Sequence, residues 1–446
     1  MRFLSYQWVI KLCLICVLAI SMSPKVGIAA DYFVATTGND GNRGTVQQPF
    51  RTLERGVQAL ASGDRLLIRG GTYRRTGWYL MVPSGGGSWA TATTIKAYNN
   101  EQVTLTPQNP IAGGSDVILL PPNRSWVIFD GLILDGRGRE KGMGGRMAFR
   151  FGMGDHHIRI INTEMRYTRD SLILTNNATH NEFINLKIHH ANNNAVPGDS
   201  MFSSSSYGIY MPSGNNLMIG CEIHHNRGYG IHNYSGHTYK PNNNTFIGNR
   251  IYANEKSGII ISQSTGVKFI NNLVYGNGTG ASTGYTGWNR FGIQVDLSVD
   301  NVTISNNTMY GNRQGEMMLG PSSRNVTARN NILAGIGSQN IFLIYKGSSK
   351  SIIENNLIVG SGTNSALFVR NWEPSATLRA NLIGKPYDQK FKNAQNQDFH
   401  LTAESSARGK GLELDEVKTD FDGVSRTLAT GLIGAYGFDI GAYQYR

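Results

Sequence analysis

The chain has 446 residues, with 42 Lys and Arg against 30 Asp and Glu, and a formal net charge of +12. That length can bury a large core without crosslinks, and of three cysteines two (Cys13 and Cys16) sit in an N-terminal apolar run, so Cys221 alone remains and intramolecular disulfides are excluded from the processed chain. The positive balance points to an anionic partner, but the basic residues are scattered, without a basic run or a recognition helix, which argues against nucleic acid.

Residues 1–30 read as a cleaved secretory signal. Arg2 and Lys11 flank the start, LCLICVLAISM is too short an apolar run to span a bilayer, and GIAA closes it with small residues. The expected product is secreted or periplasmic, with no membrane association after cleavage. Residues 31–63 form an N-terminal cap, in which FRTLERGVQALA (50–61) has the pattern of a short amphipathic helix. SGDRLLIRGGTY then reads as a strand with its turn.

From 64 to 385 one phrase recurs: apolar, any, Asn, any, apolar, then a polar turn. It reads IGNRIYAN, INNLVYGN, SNNTMYGN, RNNILAG, ENNLIVG and RANLIG, and places Asn249, Asn272, Asn307, Asn331, Asn356 and Asn381 in one slot. Upstream, Asp130, Thr163, Leu186 and Cys221 are assigned to that slot. The plain step is 23 to 25 residues, each holding two or three short β-type runs broken by Gly, Asn and Ser. A unit of that size cannot bury its apolar face alone and is stabilised by stacking, as in a parallel β-helix of about ten turns. Stacked turns would line the six asparagines into a ladder of amide hydrogen bonds, a structural role. The tail, 386–446, ends in LIGAYGFDIGAYQY, whose aromatic-Gly alternation suits a C-terminal cap.

The opening stretch DYFVATTGNDGNRGTVQQPFRTLERGVQALASGDRLLIRGGTY, the "GI…N" turns and the closing DIGAYQY resemble the secreted right-handed parallel β-helix proteins of the pectin-lyase-like superfamily. The resemblance implies an all-β solenoid over nearly the whole mature chain. For function it implies a choice among polysaccharide lyases, glycosidases and uronate epimerases. The DPHD motif of mannuronan epimerases and an acidic DGFD-type calcium cluster are both absent, so no cofactor is assigned and calcium stays open.

Insertions mark the functional side. GRGREKGMGG (136–145), ANNNAVPGDSMFSSSS (191–206), HTYKP (237–241) and NGTGASTGYTGWNR (277–290) swell consecutive turns, and loops 191–206 and 277–290 should flank a groove. Aligning the inward Ile209, Ile231, Ile259 and Ile293 sets Tyr210, His232, Ile260, Gln294 and Met318 in one outward column, with Arg150 earlier in it. A second column holds Pro212, Tyr234, Ser262, Asp296 and Gly320. The expected activity is β-elimination on a uronate-containing polysaccharide, with His232, Tyr234 and Tyr210 for the proton transfers. Gln294, Arg290, Asp296, Lys240 and Arg150 would bind substrate and its carboxylate, and Trp288, Tyr207 and Tyr285 would stack on sugar rings.

A glycoside hydrolase on this face needs carboxylates about 5–9.5 Å apart, and its outward acids, Asp296 and Glu316, come out too far separated. A C5-epimerase shares the proton abstraction. A non-catalytic glycan-binding β-helix is the alternative from another class. The paired histidines His189–His190 and His224–His225 read as turn caps, no spacing makes a metal site, and a monomer is expected.

Overall fold

The computed structural model describes residues 29–110, 114–137, 144–192, 206–236, 238–280, 289–335, 341–345, 348–360, 367–369, 376–385, 387–427 and 437–446. Short Ile-, Val- and Phe-rich runs alternate with residues that tolerate a left-handed backbone, and this drives the chain to turn every few residues. At one corner a left-handed residue recurs turn after turn: Asn162, Asn185, Gly220, Gly248, Asn271, Asn306, Asn330 and Asn355, with φ between 50° and 62°. Asn and Gly adopt that region at least cost, which accounts for the first Asn of each NN pair.

The strands coil into a right-handed parallel β-helix. Its three faces are a 13-stranded sheet from Asp31–Val34 to Thr377–Arg379, a 12-stranded sheet from Gly71–Arg74 to Leu382–Gly384, and a 10-stranded sheet from Ile118–Leu119 to Leu367–Val369. The coil therefore runs deeper than ten turns on two faces. On the third face Phe149, Ile173, Ile209, Ile231, Ile259, Ile293, Met317 and Phe342 stack inward in direct register, all buried.

The second Asn of each NN pair forms the expected ladder. The Asn249 amide donates to Asn272 Oδ1 at 2.9 Å, and the same bond repeats through Asn307, Asn331, Asn356 and Asn381 at 2.9–3.0 Å. Upstream the slot passes to Cys221, Leu186 and Thr163, as aligned. At the next turn it holds Leu132, whose N–H donates to Thr163 Oγ1, and not Asp130, which pairs with Ile161 two residues earlier on the preceding strand. Two more ladders were not foreseen. Asn226, Asn254, Asn277 and Asn312 line the corner before the third sheet, and Asn181, Asn216 and Asn244 the corner after it.

The ladder at Asn226–Asn312 explains the "GI" phrase. Gly208, Gly230, Gly258 and Gly292 stack beside it, and a Cβ on Gly258 would lie 3.0 Å from Asn277 Nδ2 and 2.7 Å from Val274 Cγ1. Any side chain there would pry the ladder open.

The ends are closed differently. The helix Leu53–Gln58, N-capped by Thr52, buries Leu53 and Val57 over the first turn, and its Glu54 pairs at 2.7 Å with Arg75, itself fully buried. The described tail residues do not cover the opposite end but lie along the flank. Thr419, Leu412, Asp439 and Gly441 accept from the corner asparagines Asn271, Asn330 and Asn306, while Phe399 and Tyr443 pack on Leu273 and Tyr275. The polar Asn corner and the tyrosine row along these turns supply the partners on which the tail packs.

Candidate active site

The outward column of the third sheet falls where the alignment placed it. Arg150, Leu174, Tyr210, His232, Ile260, Gln294 and Met318 are consecutive Cα partners, and Ser262 pairs with Asp296 in the second column. Exposure along the column is uneven. From Arg150 to His232 the side chains are partly open, whereas Gln294 and Met318 are 2% exposed and Leu343 is fully enclosed.

His232 sits at the boundary, inside a box of tyrosines. Its ring stacks on Tyr210 (5.2 Å between centroids, 28°) and Tyr234 (5.1 Å, 13°), and meets Tyr207 edge-on at 4.3 Å and Tyr229 at 5.2 Å. Its Nδ1 is enclosed without a hydrogen-bond partner. Burial, helped by the nearby Lys256 charge, pushes the imidazole down to about 3, so it is neutral at physiological pH. Burial also raises the Tyr210 phenol above its usual value.

Lys256 was missed by the sequence reading. It is nearly buried, with Nζ 5.2 Å from the centroid of the Tyr229 ring, and burial lowers its ammonium to about 8 against the opposing pull of Glu255. Ile259 pairs with Ile293, so Arg290, three residues ahead of Ile293, falls in the row of Lys256, three ahead of Ile259. That shared offset before the inward Ile was the available signal. The half-buried Arg290 thus lies one turn from a lysine that holds its proton weakly.

The other expected residues divide. Tyr210 and Tyr234 are at His232. Gln294, expected to face a carboxylate, is enclosed, accepting from Ser257 Oγ at 3.1 Å and donating to Asn289 at 3.3 Å, because packing closes the column at that turn. Asp296 is half-buried, its carboxyl raised by burial while the Leu297 N–H pulls it down. Lys240 is exposed beyond Tyr234, with Nζ 2.9 Å from Gln263 Oε1. Arg150 is three strand steps from His232, about 14 Å at the usual strand spacing, so it does not share the His232 centre. Trp288, Tyr285 and most of loops 191–206 and 277–290 lie outside the described residues.

Glu316 is not an outward acid. It occupies the glycine position of its turn, fully enclosed, and ends the ladder by accepting from Asn312 Nδ2 at 2.5 Å and from the Asn312 N–H at 3.2 Å. The acid pair weighed for hydrolysis therefore does not exist on this face. Burial raises the Glu316 carboxyl from 4.5 to about 8. The unfolded chain ionises it from about pH 4.5, while the folded chain keeps its proton until about 8, so this group costs stability progressively as pH rises through that window. Glu316→Gln removes the titration. Its amide oxygen can accept both Asn312 donors, as each ladder Asn does for its predecessor. The slope of unfolding free energy between pH 4.5 and 8 should be flatter in the variant, measured by urea titration; parallel slopes would show that Glu316 is ionised in the folded protein.

The paired histidines line the second sheet and its corner as stacks, His189 on His224 (4.9 Å, 7°) and His190 on His225 (5.4 Å, 5°), with Tyr252 and Tyr275 continuing the first. Among the described residues no group of three or more His, Cys, Asp or Glu could hold a metal ion. Among the described residues the carboxylates near the site do not gather into a calcium cradle.

Residues 32–340 match a family model described as Pel9A-like, right handed beta helix region. Pectate lyase PEL9 of Emericella nidulans is 31% identical over 78 residues, 18% of each chain. The chain spans less than a fifth of the length of the curated relatives it matches. Among solved structures, pectate lyase Pel9A superposes with a TM-score of 0.59 at 16% identity, covering 94% of this chain and 98% of that one. The A-module of mannuronan C-5 epimerase AlgE4 from Azotobacter vinelandii does so at 0.53 and 14%, covering 75% and 91%. At these identities both show a common fold.

Proposed function

From the premise that the chain belongs to the Pel9A-like right-handed beta-helix family, we propose that it is an exported polysaccharide lyase that cleaves a uronate-containing polysaccharide by β-elimination. The observation that carries this reading is Lys256, whose ammonium is held down to about 8 beside the tyrosine-boxed His232. A base is most effective when its pKa lies near the working pH, and an imidazole held down to about 3 is a weaker base than an amine at about 8. The base role first read onto His232 therefore passes to Lys256.

The steps follow from the row. The Arg290 guanidinium pairs with the uronate carboxylate and acidifies the proton on the carbon that bears it. The neutral Lys256 amine takes that proton, the released electron pair forms a carbon–carbon double bond, and the bond from the neighbouring carbon to the glycosidic oxygen breaks. The Tyr234 hydroxyl gives its proton to the leaving oxygen. Neutral His232, locked between Tyr210 and Tyr234, holds that phenol in place. The basic chain suits an anionic polymer, and among the described residues no helix is long and apolar enough to cross a membrane.

The test is a panel of acidic glycans, polygalacturonate and alginate among them, followed by the ultraviolet absorbance of the unsaturated product. A rise with one polymer supports the reading. Binding without absorbance overturns it, and NMR of the recovered polymer then separates C5 inversion, an epimerase, from mere binding.

A further inference from the structure

The outward column does not begin at Arg150. The Leu80 N–H donates to the Leu119 carbonyl at 2.8 Å, one parallel rung beyond the last strand of the third sheet, Ile118–Leu119, which sets Tyr79 beside Leu119. Leu80 and Val82 are buried while Tyr79 and Met81 are exposed, and Leu119, itself covered at 5% exposure, links Tyr79 to Arg150 at the head of the column that leads to His232. Tyr79 is 42% exposed, and its neighbour Trp78 is 56% exposed. Large exposed apolar groups clustered on a rigid face commonly mark a ligand groove.

Between this aromatic end and His232 lies a polar pair with unused capacity. Asp116 is nearly buried beside Arg150, with Arg150 Nη1 3.5 Å from its Oδ2, yet Asp116 Oδ1 and Arg150 Nε are both enclosed without a hydrogen-bond partner. Leaving two such groups unmet is costly, and while Asp116 sits enclosed behind it, the Arg150 side chain is 26% exposed, so its guanidinium can donate to a ring or carboxylate oxygen of a sugar. On the other side of His232 the column shuts.

We propose that the groove extends only toward the N-terminal end. In this assignment Asp116 and Arg150 form a distal sugar subsite, and Trp78 and Tyr79 form an aromatic platform at its far end. This rests on the lyase reading and deepens it. Five strand steps separate Tyr79 from His232, about 24 Å, a span that takes several rings of one polymer chain. An enzyme built this way holds its substrate on one side of the cleaved bond and prefers polymer to short fragments. The flat C–H faces of the sugars would lie on the Trp78 and Tyr79 rings.

The experiment compares wild type, Trp78→Ala/Tyr79→Ala and Arg150→Gln on the polymer cleaved in the panel and on the trisaccharide of the same uronate. Both variants should raise KM for the polymer roughly tenfold, the size of one lost anchor, with kcat unchanged and trisaccharide kinetics within about twofold of wild type. Circular dichroism confirms folding, and the exposed aromatic pair serves if Arg150→Gln does not fold. Equal effects on polymer and trisaccharide, or none on either, would overturn the distal subsite while leaving the lyase reading intact. If wild type cleaves no acidic glycan, retardation of the wild-type protein in polyuronate gels still decides the matter. Retardation lost in Trp78→Ala/Tyr79→Ala upholds the groove although the lyase reading fails, whereas unchanged migration overturns the groove as well.

Discussion

Lys256→Ala should lower kcat on the cleaved uronate polymer by about 10²–10⁴-fold, the usual yield of a positioned general base. Lys256→Arg should be nearly as inactive, although it keeps the charge and much of the length, because a guanidinium does not release its proton in this range. The wild-type rate should rise with pH and level off above about 8, as the amine of Lys256 loses its proton, and that limb should be missing from the residual activity of Lys256→Ala. His225→Ala, whose ring stacks on His190 in the paired-histidine rows, should leave the rate unchanged and serves as the control. Full activity in Lys256→Arg would show that Lys256 supplies charge and not a base, returning the proton transfer to His232.

Asn307→Ala should cost about 1–3 kcal/mol of unfolding free energy, read from the urea midpoint with the slope unchanged. Asn307 is fully buried in the first ladder. Its Oδ1 accepts the Asn272 N–H at 2.8 Å and the Asn272 amide at 3.0 Å, while its own amide donates to the Phe269 carbonyl and to Asn331. Alanine removes the side-chain acceptor of the enclosed Asn272 N–H, and the backbone there is set by the left-handed Asn271 and Asn306. The loss should be local, because each turn of a solenoid contacts only its neighbours. Hydrogen exchange at the Asn272 amide should accelerate more than at Asn381. An unchanged midpoint would mean that the ladder contributes nothing beyond filling the corner.

Much of this protein was legible from its period. In a parallel coil like stacks on like, so a phrase that recurs along the chain becomes a column in space. The slot from Asn249 to Asn381, the inward Ile209, Ile231, Ile259 and Ile293, and the outward partners of His232 followed from counting residues. The one misplaced rung, Asp130 for Leu132, lies where the Asn is missing and the phrase has no anchor. The "GI" phrase was visible, but its cause was not, because the amide that forbids a Cβ at Gly258 comes from Asn277 one turn away.

What counting could not supply was exposure. The sequence determined which side chains share a face. Burial, visible only once the chain is folded, shows that Gln294 and Glu316 are enclosed, that the column is partly open from Arg150 to His232, and that the described tail residues lie along the flank. It also decided the chemistry of Lys256, a residue unremarkable in the string. Its lowered proton affinity comes from desolvation, and part of what surrounds it is the Tyr229 ring on the turn before. Register is a property of short repeats and is written in them; burial sums contributions from segments far apart in the chain, and no local pattern carries that sum.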